Sequence, residues 1–404
     1  MLSRHQIEIV QSTLPLLESA GTAITEHFYG RMFRENPELK DIFNLSHQHS
    51  GQQPVALFNA ILAYARYLDN PAVLAQAIER IAHKHTGFQI RPEQYDIVGH
   101  HLLETIRELA PDAATPEVLD AWGQAYGQLA AIFIGREEEI YASAEQAAGG
   151  WRGKRRFRLV AKTAESELVT SFVWSPVDGG PVMDFKPGQY LSLSVSHPSL
   201  AHHEYRQYSL SDAPNGNTYR ISVKRESGTP AGQISNYLHD HVDVGDELDL
   251  LPPAGDFFLD VDADTPVVLL SGGVGLTPLL SMLNQLSRSG HRAPVHYLHA
   301  CENGRQHAFR DQVASLARDQ EHIHSFVWYR EPLAEDRIDQ DYDATGLIDL
   351  APLRDSILRD DTQFYFCGPL AFMRAVYRQL KDWDVDDARL HYELFGPHQT
   401  LTGE

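Results

Sequence analysis

The chain has little cysteine, little positive charge and no long apolar run. Its two cysteines, Cys301 and Cys367, are too few for a disulfide framework, so a reducing cytoplasm is the expected compartment. The 34 Lys and Arg residues are outnumbered by 55 Asp and Glu residues, and a net charge of -21 argues against nucleic acid or an anionic membrane as a partner. No stretch approaches the roughly 18 apolar residues that a membrane span needs, and no secretory signal is visible.

Three segments of the chain differ in their hydrophobic pattern, and 404 residues are enough for two or three domains. Helical periodicity dominates up to the junction "AAGGWRGKRRF", where paired glycines precede a basic cluster. Short alternating segments separated by turns then predict antiparallel strands, and a later alternation of strand, turn and helix predicts a parallel α/β sheet. We therefore predict an all-α domain at 1–147, an antiparallel β-barrel at 151–262 and a parallel-sheet α/β domain at 263–404.

A pair of histidines, His83 and His85, ends a helical pattern predicted over residues 71–86. Ile78, Ile81 and His85 share one helix face, so His85 should point into the apolar layer and His83 into water. A buried imidazole needs partners for its nitrogens. Two interpretations stay open at this point: a core histidine bonded to a carbonyl, or an axial ligand of an iron macrocycle.

Polar and aromatic side chains on other predicted helices could complete a pocket opposite His85. Tyr29 lies in the middle of a helix beside other aromatic residues, and Phe43 follows a turn. Gln53 and Leu57 share a helix face, but Pro54 places Gln53 at or near a helix start, because proline is tolerated mainly in the first turn. Tyr29 is therefore the safer donor, and a core role with satisfied hydrogen bonds is the alternative for each polar residue.

Glu137 is an acid on the otherwise apolar face of the last predicted helix, between Phe133 and Tyr141. An ionised carboxylate in that position is costly unless it is hydrogen-bonded. Tyr95 lies on a helix whose first position suits Pro92. An exposed acid near a helix end is the alternative interpretation of Glu137.

The second half of the chain carries an ordered set of motifs. "PGQY" (187–190) and "YRQYSLS" (205–211) lie on predicted strands, and Gly232 to Ser235 open a helix, whose free N–H groups suit a phosphate. "LLSGGVGLTPLL" places glycines between a strand and a helix, with Thr277 as the predicted N-cap and Pro278 at the first helical position. "FCGPLAFM" (366–373) and "HYELFGP" (391–397) follow near the end.

Taken together and in order, these motifs resemble the bacterial flavohaemoglobins, in which a globin domain precedes a ferredoxin–NADP reductase-like module. The resemblance covers essentially the whole chain. It implies haem b, FAD and NAD(P)H as cofactors, O2 and NO as partners, and a monomer or homodimer without stable membrane insertion. It implies a nitric oxide dioxygenase that forms nitrate with electrons passed from NAD(P)H through FAD to haem.

Two alternatives to that activity remain. The same electron chain could reduce hydroperoxides or other acceptors. A gas-binding sensor or oxygen store is an alternative of another class, and a reductase in place of an output module disfavours it. The choice between NADH and NADPH stays open.

The resemblance also assigns roles to individual residues. His85 becomes the proximal iron ligand, with Tyr95 and Glu137 as a hydrogen-bonded relay behind it, and Lys84 and Glu393 match positions held to modulate the haem and flavin potentials. The remaining haem-pocket residues are Tyr29, Phe43, Gln53 and Leu57. The flavin set is Tyr190, Arg206, Gln207, Tyr208, Ser209, Gly232, Gln233, Ile234, Ser235 and Phe395. The nicotinamide set is Gly272, Gly273, Val274, Gly275, Leu276, Thr277, Cys367, Gly368 and Pro369.

Within the flavin set, the resemblance gives three residues distinct tasks. Tyr208 stacks on the isoalloxazine ring, and Ser209 hydrogen-bonds near the reactive flavin nitrogen. Arg206 neutralises the pyrophosphate with help from the helix start at Gly232. Cys367 lies beside the nicotinamide, and a buried unreactive thiol is its alternative.

Overall fold

A computed structural model describes residues 2–42, 52–197, 200, 202–228, 232–396 and 401. The chain forms two compact units. The first comprises Met1–Gln146, Ser194–Tyr205 and Gly396–His398, and the second comprises Ala147–Leu193, Arg206–Phe395 and Gln399–Glu404. Among the described residues, no helix has the length and apolar character needed to cross a membrane.

The amino-terminal part is all α-helical, as predicted. Its described helices are α1 (Arg4–Ser12), α2 (Leu14–Ala20), α3 (Ala23–Glu35), α4 (Gln52–Arg66), α5 (Ala75–Thr86), α6 (Pro92–Leu109) and α7 (Pro116–Gln146). Local chemistry sets several of the starts: Ser3 and Gln6 form a capping box at α1, and proline occupies the first turn of α2 and α6. The single helix predicted over residues 71–86 is wrong at its start, because Pro71–Leu74 forms a 3₁₀ turn before α5.

The helices bury three apolar clusters. One joins α1, α2 and α4 to α7 around Trp122. A second surrounds Tyr29 and Met32 of α3, and a third surrounds Tyr95 of α6 and Phe133 of α7. The partly buried ring of Tyr126 packs on both the second and the third cluster, so the two adjoin in the interior of this unit.

Six strands then form an antiparallel sheet: β1 (Arg155–Ala164), β2 (Val169–Pro176), β3 (Tyr190–Val195), β4 (Glu204–Ser209), β5 (Tyr219–Lys224) and β6 (Glu247–Leu250). The strand order is β4-β3-β6-β1-β2-β5. A bridge between Leu210 and Ile221 joins the two outer strands of that order, so the sheet closes into a barrel. Helix α8 (Gln233–His241) lies between β5 and β6 in the chain.

The carboxyl-terminal part is a parallel sheet of order β10-β9-β8-β7-β11-β12. Its strands are β7 (Val267–Gly272), β8 (Val295–Cys301), β9 (Ile323–Tyr329), β10 (Ala344–Thr345), β11 (Gln363–Cys367) and β12 (Leu390–Glu393). Its helices are α9 (Leu276–Arg288), α10 (Arg310–Asp319), α11 (Arg354–Ile357) and α12 (Leu370–Asp382). The fold class is therefore the predicted one: an all-α part, an antiparallel barrel and a parallel α/β sheet.

Alternating residues of β7 pack on opposite faces of this sheet. Val267 and Leu269 contact the cluster that includes α9, whereas Val268 and Leu270 contact the cluster that includes α12. Burial on both faces explains the continuous apolar run in the sequence. The strand order reverses between β7 and β11, and such a switch point opens a crevice at the carboxyl ends of the strands.

Candidate functional site

Three helices bring His85, Tyr95 and Glu137 together in the helical unit. The Nδ1 atom of His85 lies 2.8 Å from Glu137 Oε1 and 2.8 Å from the Tyr95 hydroxyl. Tyr95 donates to the same carboxylate oxygen at 2.5 Å. The Glu137 side chain is only 4% exposed, so the predicted acid on an apolar face is buried and hydrogen-bonded.

Burial and the neighbouring Glu137 carboxylate raise the pKa of Tyr95, so its hydroxyl keeps its proton and donates it. The carboxylate then accepts from both groups, which places the imidazole proton of His85 on Nδ1. Among the described residues, all hydrogen bonds of the His85 ring involve Nδ1. The ring is 32% exposed, so Nε2 remains available for a metal ion, and these residues fit a haem iron.

His83 differs from its prediction. Its side chain is partly buried, with 13% exposed, and its Nε2 lies 3.1 Å from the Glu79 carboxylate. Arg136 of α7 donates to the same carboxylate through Nε at 2.6 Å and Nη2 at 2.7 Å. This pairing between α5 and α7 covers the polar face of α5, which helical periodicity alone does not reveal. Lys84, between the two histidines, donates to the carbonyl of Gly396 at 3.0 Å.

Tyr29 lies in the middle of α3 and is buried, with 6% of its surface exposed. Its ring contacts Phe28 edge-on at 5.1 Å and stacks on Phe33 at 5.8 Å. Leu57 of α4 packs on the same cluster. Phe43 lies outside the described residues, as does the side chain of Gln53.

The backbone of Gln53 lies in the first turn of α4, which confirms the helix start predicted from Pro54. The hydroxyl of Thr25 on α3 donates to the carbonyl of Pro54 at 2.8 Å. This hydrogen bond ties the beginning of α4 to the helix that carries Tyr29.

The flavin motif lies on β3 and β4. Tyr208 and Ser209 end β4, where Ser209 is buried and burial raises the pKa of Tyr208. Tyr190 begins β3 and is buried; burial, followed by the Glu393 and Asp256 carboxylates, raises its pKa. Arg206 and Gln207 precede Tyr208 on β4 and are partly exposed. The barrel thus presents aromatic and hydroxyl groups together with a cation, a set that fits a flavin dinucleotide.

Gly232 is the N-cap of α8, and Gln233, Ile234 and Ser235 form its first turn, as predicted. No described side chain caps this end, so the amide groups of the first turn, Gln233 to Ser235, remain available for a phosphate. A Cβ at Gly232 would lie 2.8 Å from Glu226 Cβ, which explains the glycine.

The glycine turn follows β7 at the switch point, where Gly272 ends the strand and Gly273–Gly275 forms a 3₁₀ turn. A Cβ at Gly275 would overlap the carbonyl of Cys367, so only glycine allows the turn after β7 to approach the end of β11 this closely. The predicted N-cap Thr277 is wrong. Gly275 is the N-cap of α9, and the Thr277 hydroxyl donates back to the carbonyl of Val274 at 3.1 Å.

Cys367 ends β11 beside this turn, and Gly368 and Pro369 lead into α12, with Pro369 as N-cap. Burial raises the pKa of the Cys367 thiol, and the Glu393 carboxylate adds to that effect. Glu393 is the register partner of Cys367 on β12, whereas Phe395, two residues later, is 51% exposed. The two glycine-containing segments therefore meet at one crevice, which fits a dinucleotide.

One polar centre near this crevice is missing from the sequence-based predictions. Asp212 follows the "YRQYSLS" motif directly and contacts three side chains of α9: Ser281, Asn284 and Arg288. The position of Asp212 directly after the motif was the one local signal for it. Its contacts, however, join distant parts of the chain, since Asp212 and Ser281 are 69 residues apart.

Comparisons with known proteins agree with the order of the three parts of the fold. Residues 26–133 match the globin family model, residues 156–259 an oxidoreductase FAD-binding domain and residues 269–378 an oxidoreductase NAD-binding domain. The chain is 50% identical over 400 residues to a flavohemoprotein of Rhizobium meliloti (strain 1021), covering 98% of this chain and 99% of that one.

Two solved structures are also similar. The flavohemoglobin of Malassezia yamatoensis with bound FAD and haem matches with a TM-score of 0.86 and 27% identity, over 98% of this chain and 100% of that one. The FAD/NAD-binding domain of nitric oxide dioxygenase from Vibrio cholerae O1 biovar El Tor matches with a TM-score of 0.55 and 45% identity, over 61% of this chain and 100% of that one.

Proposed function

We propose that this chain, which belongs to the flavohaemoglobin family of oxidoreductases with haem, FAD and NAD-binding domains, is a nitric oxide dioxygenase. The reaction combines NO with O2 to give nitrate and takes one electron per NO from NAD(P)H, so each hydride serves two NO molecules. Haem and FAD supply the oxygen chemistry and the conversion of a hydride into single electrons when they are bound. The free thiols Cys301 and Cys367 fit a reducing cytoplasm as the proposed compartment.

The observation that carries this proposal is the relay behind His85. A histidine that donates from Nδ1 to a buried carboxylate is a stronger electron donor through Nε2 than a histidine bonded to a neutral carbonyl. Glu137 is that carboxylate, and Tyr95 holds it in place with a second hydrogen bond. An electron-rich histidine would favour oxygen activation over reversible storage when haem is bound. The relay therefore supports an enzyme rather than an oxygen store.

Tyr29 is the proposed donor to a gas that the haem would bind, and Phe43, Gln53 and Leu57 are the proposed lining residues of that pocket. A phenol that is buried among Phe28 and Phe33 holds its position at little entropic cost. Its hydroxyl can stabilise negative charge that develops on the gas.

In the reductase part, the proposed flavin-binding residues lie on β3, β4 and the first turn of α8. Tyr208 offers a ring for stacking, Ser209 a hydroxyl, and Arg206 a cation for the pyrophosphate. Tyr190, Gln207 and Phe395 complete this set on β3, β4 and the segment after β12. The turn Gly272–Gly275 and the segment Cys367–Pro369 are the proposed nicotinamide-dinucleotide site, where backbone amides approach the phosphates. Lys84 and Glu393 are the proposed residues that tune the haem and flavin potentials.

The test uses the purified holoprotein. Its absorption spectrum should show a haem Soret band together with flavin absorbance. With NADH or NADPH, it should consume NO rapidly in air and form nitrate, and it should consume far less under argon. Rapid NO consumption that is independent of O2 would contradict the dioxygenase assignment, as would faster NAD(P)H oxidation with a hydroperoxide than with NO and O2.

A further inference from the structure

We propose that Asp212 is a positioning residue for hydride transfer from the nicotinamide to the flavin. It anchors helix α9, which begins at the glycine turn, to the loop that ends the flavin strand β4. This inference rests on the proposed FAD and NAD(P)H sites. It concerns how the barrel and the parallel sheet are held in register, and it does not depend on the reaction at the haem.

The nicotinamide side of the contact is one face of α9. Ser281, Asn284 and Arg288 are spaced by three and four residues, so they lie on the same side of the helix. The Ser281 hydroxyl donates to the backbone carbonyl of Asp212 at 2.6 Å. The Asn284 amide donates to Asp212 Oδ1 at 2.9 Å, and Arg288 Nη2 donates to the same oxygen at 3.1 Å.

Ser281 and Asn284 are 0% and 2% exposed. Buried polar groups are costly without partners, and the opposite face of this helix packs into the apolar core of the sheet. Asp212 thus supplies the hydrogen-bond partners that offset the cost of burying these polar side chains of α9. The side-chain amide of Gln312 on α10 donates to Asn284 Oδ1 at 2.8 Å and fixes the orientation of the Asn284 side chain.

The flavin side of the contact is equally specific. Arg220 of β5 donates to the carbonyl of Ser211 at 2.5 Å and to its hydroxyl at 3.2 Å, and its Nη1 lies 3.8 Å from Asp212 Oδ2. The Arg220 guanidinium also lies 5.1 Å from the centre of the Phe309 ring in the parallel-sheet part. Asp212 therefore faces a cation from each part of this unit.

The path from Asp212 to both cofactor motifs is short. Ser209, proposed to bind the flavin, is three residues before Asp212 along the chain. In the other direction, α9 runs from Arg288 back to Gly275, which packs against the carbonyl of Cys367. Apolar contacts support the same junction, because a Cβ at Gly188 of the barrel would lie 2.6 Å from the methyl of Met282.

Hydride transfer needs this register because the reacting atoms must lie within roughly 3–3.5 Å, and a displacement of about 1 Å costs on the order of 100-fold in rate. A shift of α9 relative to β4 moves the nicotinamide relative to the flavin while leaving each binding site intact. Loss of the Asp212 contact should therefore lower the rate of flavin reduction more than it weakens dinucleotide binding.

The experiment compares four variants of the full-length, cofactor-loaded protein by stopped-flow reduction of the flavin with NADH. Asn284→Asp places two carboxylates face to face and should slow flavin reduction by about ten- to hundredfold. Asp212→Asn keeps a hydrogen-bond acceptor but loses the ion pairs with Arg220 and Arg288, and it should have a smaller effect. The double variant Asp212→Asn/Asn284→Asp restores an amide–carboxylate pair and keeps Arg288 near the charge, so it should recover to within about threefold of the parent.

Arg292→Ala is the matched control, because Arg292 pairs with the exposed Asp264 and neither contacts Asp212. It should leave the rate unchanged. In all variants the FAD content, the dithionite reduction of the flavin and the KM for NADH should stay within about threefold of the parent. A readout that is independent of turnover is hydrogen–deuterium exchange of residues 276–288 before NADH is added. It should rise in Asn284→Asp and return to the parental level in the double variant.

A normal flavin reduction rate in Asn284→Asp, or a double variant as slow as that single variant, overturns the proposal. A parent protein that binds no FAD, or whose flavin neither NADH nor NADPH reduces, would instead overturn the cofactor assignment on which the proposal rests. The two failures are distinguished by the flavin spectrum of the parent protein alone.

Discussion

At the scale of single residues, Glu137 shows how burial selects chemistry. Glu137, Glu138 and Glu139 are consecutive in the sequence, but Glu137 is buried whereas its two neighbours are exposed. A buried carboxylate must be compensated, and Tyr95 and His85 provide that compensation. The same two hydrogen bonds that stabilise Glu137 also fix the tautomer of His85, so the structural requirement and the proposed catalytic role coincide.

Glu137→Gln tests that role. The variant should keep haem, because His85 Nε2 is unchanged, but NO turnover and haem reduction should fall by about ten- to hundredfold, as is typical for the loss of a partner behind a metal ligand. NADH-dependent flavin reduction, measured by stopped flow in the same samples, should be unaffected. Glu138→Gln is the matched control and should behave like the parent. Unchanged haem reduction in Glu137→Gln would remove the relay from the mechanism.

Tyr29→Phe tests the distal donor. A hydrogen bond to an ionised acceptor contributes about 1.5–3 kcal/mol, so O2 release should accelerate about ten- to hundredfold. Laser photolysis or ligand displacement measures the rate of O2 release. Removal of the exposed hydroxyl in Tyr67→Phe should change nothing. Gln53→Leu should have a smaller effect than Tyr29→Phe, since Gln53 lies in the first turn of α4. A larger effect for Gln53→Leu would mean that the donor assignment is wrong.

His296 gives a prediction for pH. Burial, then His324 and Arg359, lower the pKa of His296 to about 4. Because an unfolded histidine titrates near pH 6.5, the unfolded chain binds more protons between pH 6.5 and 4. Stability from the neutral ring is therefore present above pH 6.5 and declines by up to about 1.4 kcal/mol per pH unit as the pH falls. His296→Leu should reduce the difference in unfolding free energy between pH 7 and pH 5, measured with urea. An identical difference in variant and parent would exclude His296 as a source of acid sensitivity.

At the scale of secondary-structure elements, the glycines within α6 and α7 show the effects of helix propensity and of side-chain packing on stability separately. Gly135 of α7 has no heavy atom within 4 Å of a Cβ built on it, so Gly135→Ala should raise the unfolding free energy of the helical unit by about 0.5–1 kcal/mol. A Cβ at Gly99 of α6 would lie 2.6 Å from the ring of Tyr126, whose hydroxyl donates to the carbonyl of Tyr95 at 2.7 Å. Gly99→Ala should therefore destabilise the unit by about 1–3 kcal/mol. Thermal and urea unfolding check both, and a stabilising Gly99→Ala would contradict the packing argument.

Element types were predictable where local signals sufficed. The alternating apolar pattern of β5, the proline starts of α2 and α6, and the glycine turn after β7 each depend on residues close together in the chain, and each lies where the sequence places it. The position of Glu137 on an apolar face was likewise visible from helical spacing.

Features that depend on distant partners were not predictable in the same way. The partial burial of His83 depends on Glu79 and on Arg136, which lies 57 residues from Glu79 along the chain. Helix α9 begins before Thr277, where Gly275 packs on Cys367, and this contact joins a turn to a strand that is far away in the chain. Asp212 gains its importance from α9, and no local pattern marks an aspartate as a tertiary anchor. Such contacts form only when the sheet order is established.

At the scale of the whole molecule, the residues of the proposed haem site and those of the proposed flavin and nicotinamide sites lie in different compact units. Tyr29, His85, Tyr95 and Glu137 lie in the first unit, whereas Tyr190, the flavin residues from Arg206 onward and both glycine-containing segments lie in the second. Short segments cross this division: Ser194–Tyr205 belongs to the first unit although it connects β3 to β4. Within that unit the Tyr205 hydroxyl donates to Gln89 Oε1 at 3.3 Å, and its ring contacts Phe88 edge-on at 6.4 Å.

A fragment of residues 151–404 should therefore fold, bind FAD and oxidise NADH or NADPH with an artificial acceptor such as ferricyanide. The barrel and the parallel sheet bury their own apolar clusters, and every proposed flavin and nicotinamide residue lies after position 151. The fragment should show no Soret band, because His85 is absent. Tyr205 loses Gln89 and Phe88, so hydrogen–deuterium exchange of residues 202–205 should rise, whereas exchange of β7 and α9 should match that of the full-length protein. A folded fragment without FAD would show that the flavin site needs the helical unit, and the boundary at residue 151 would then be wrong.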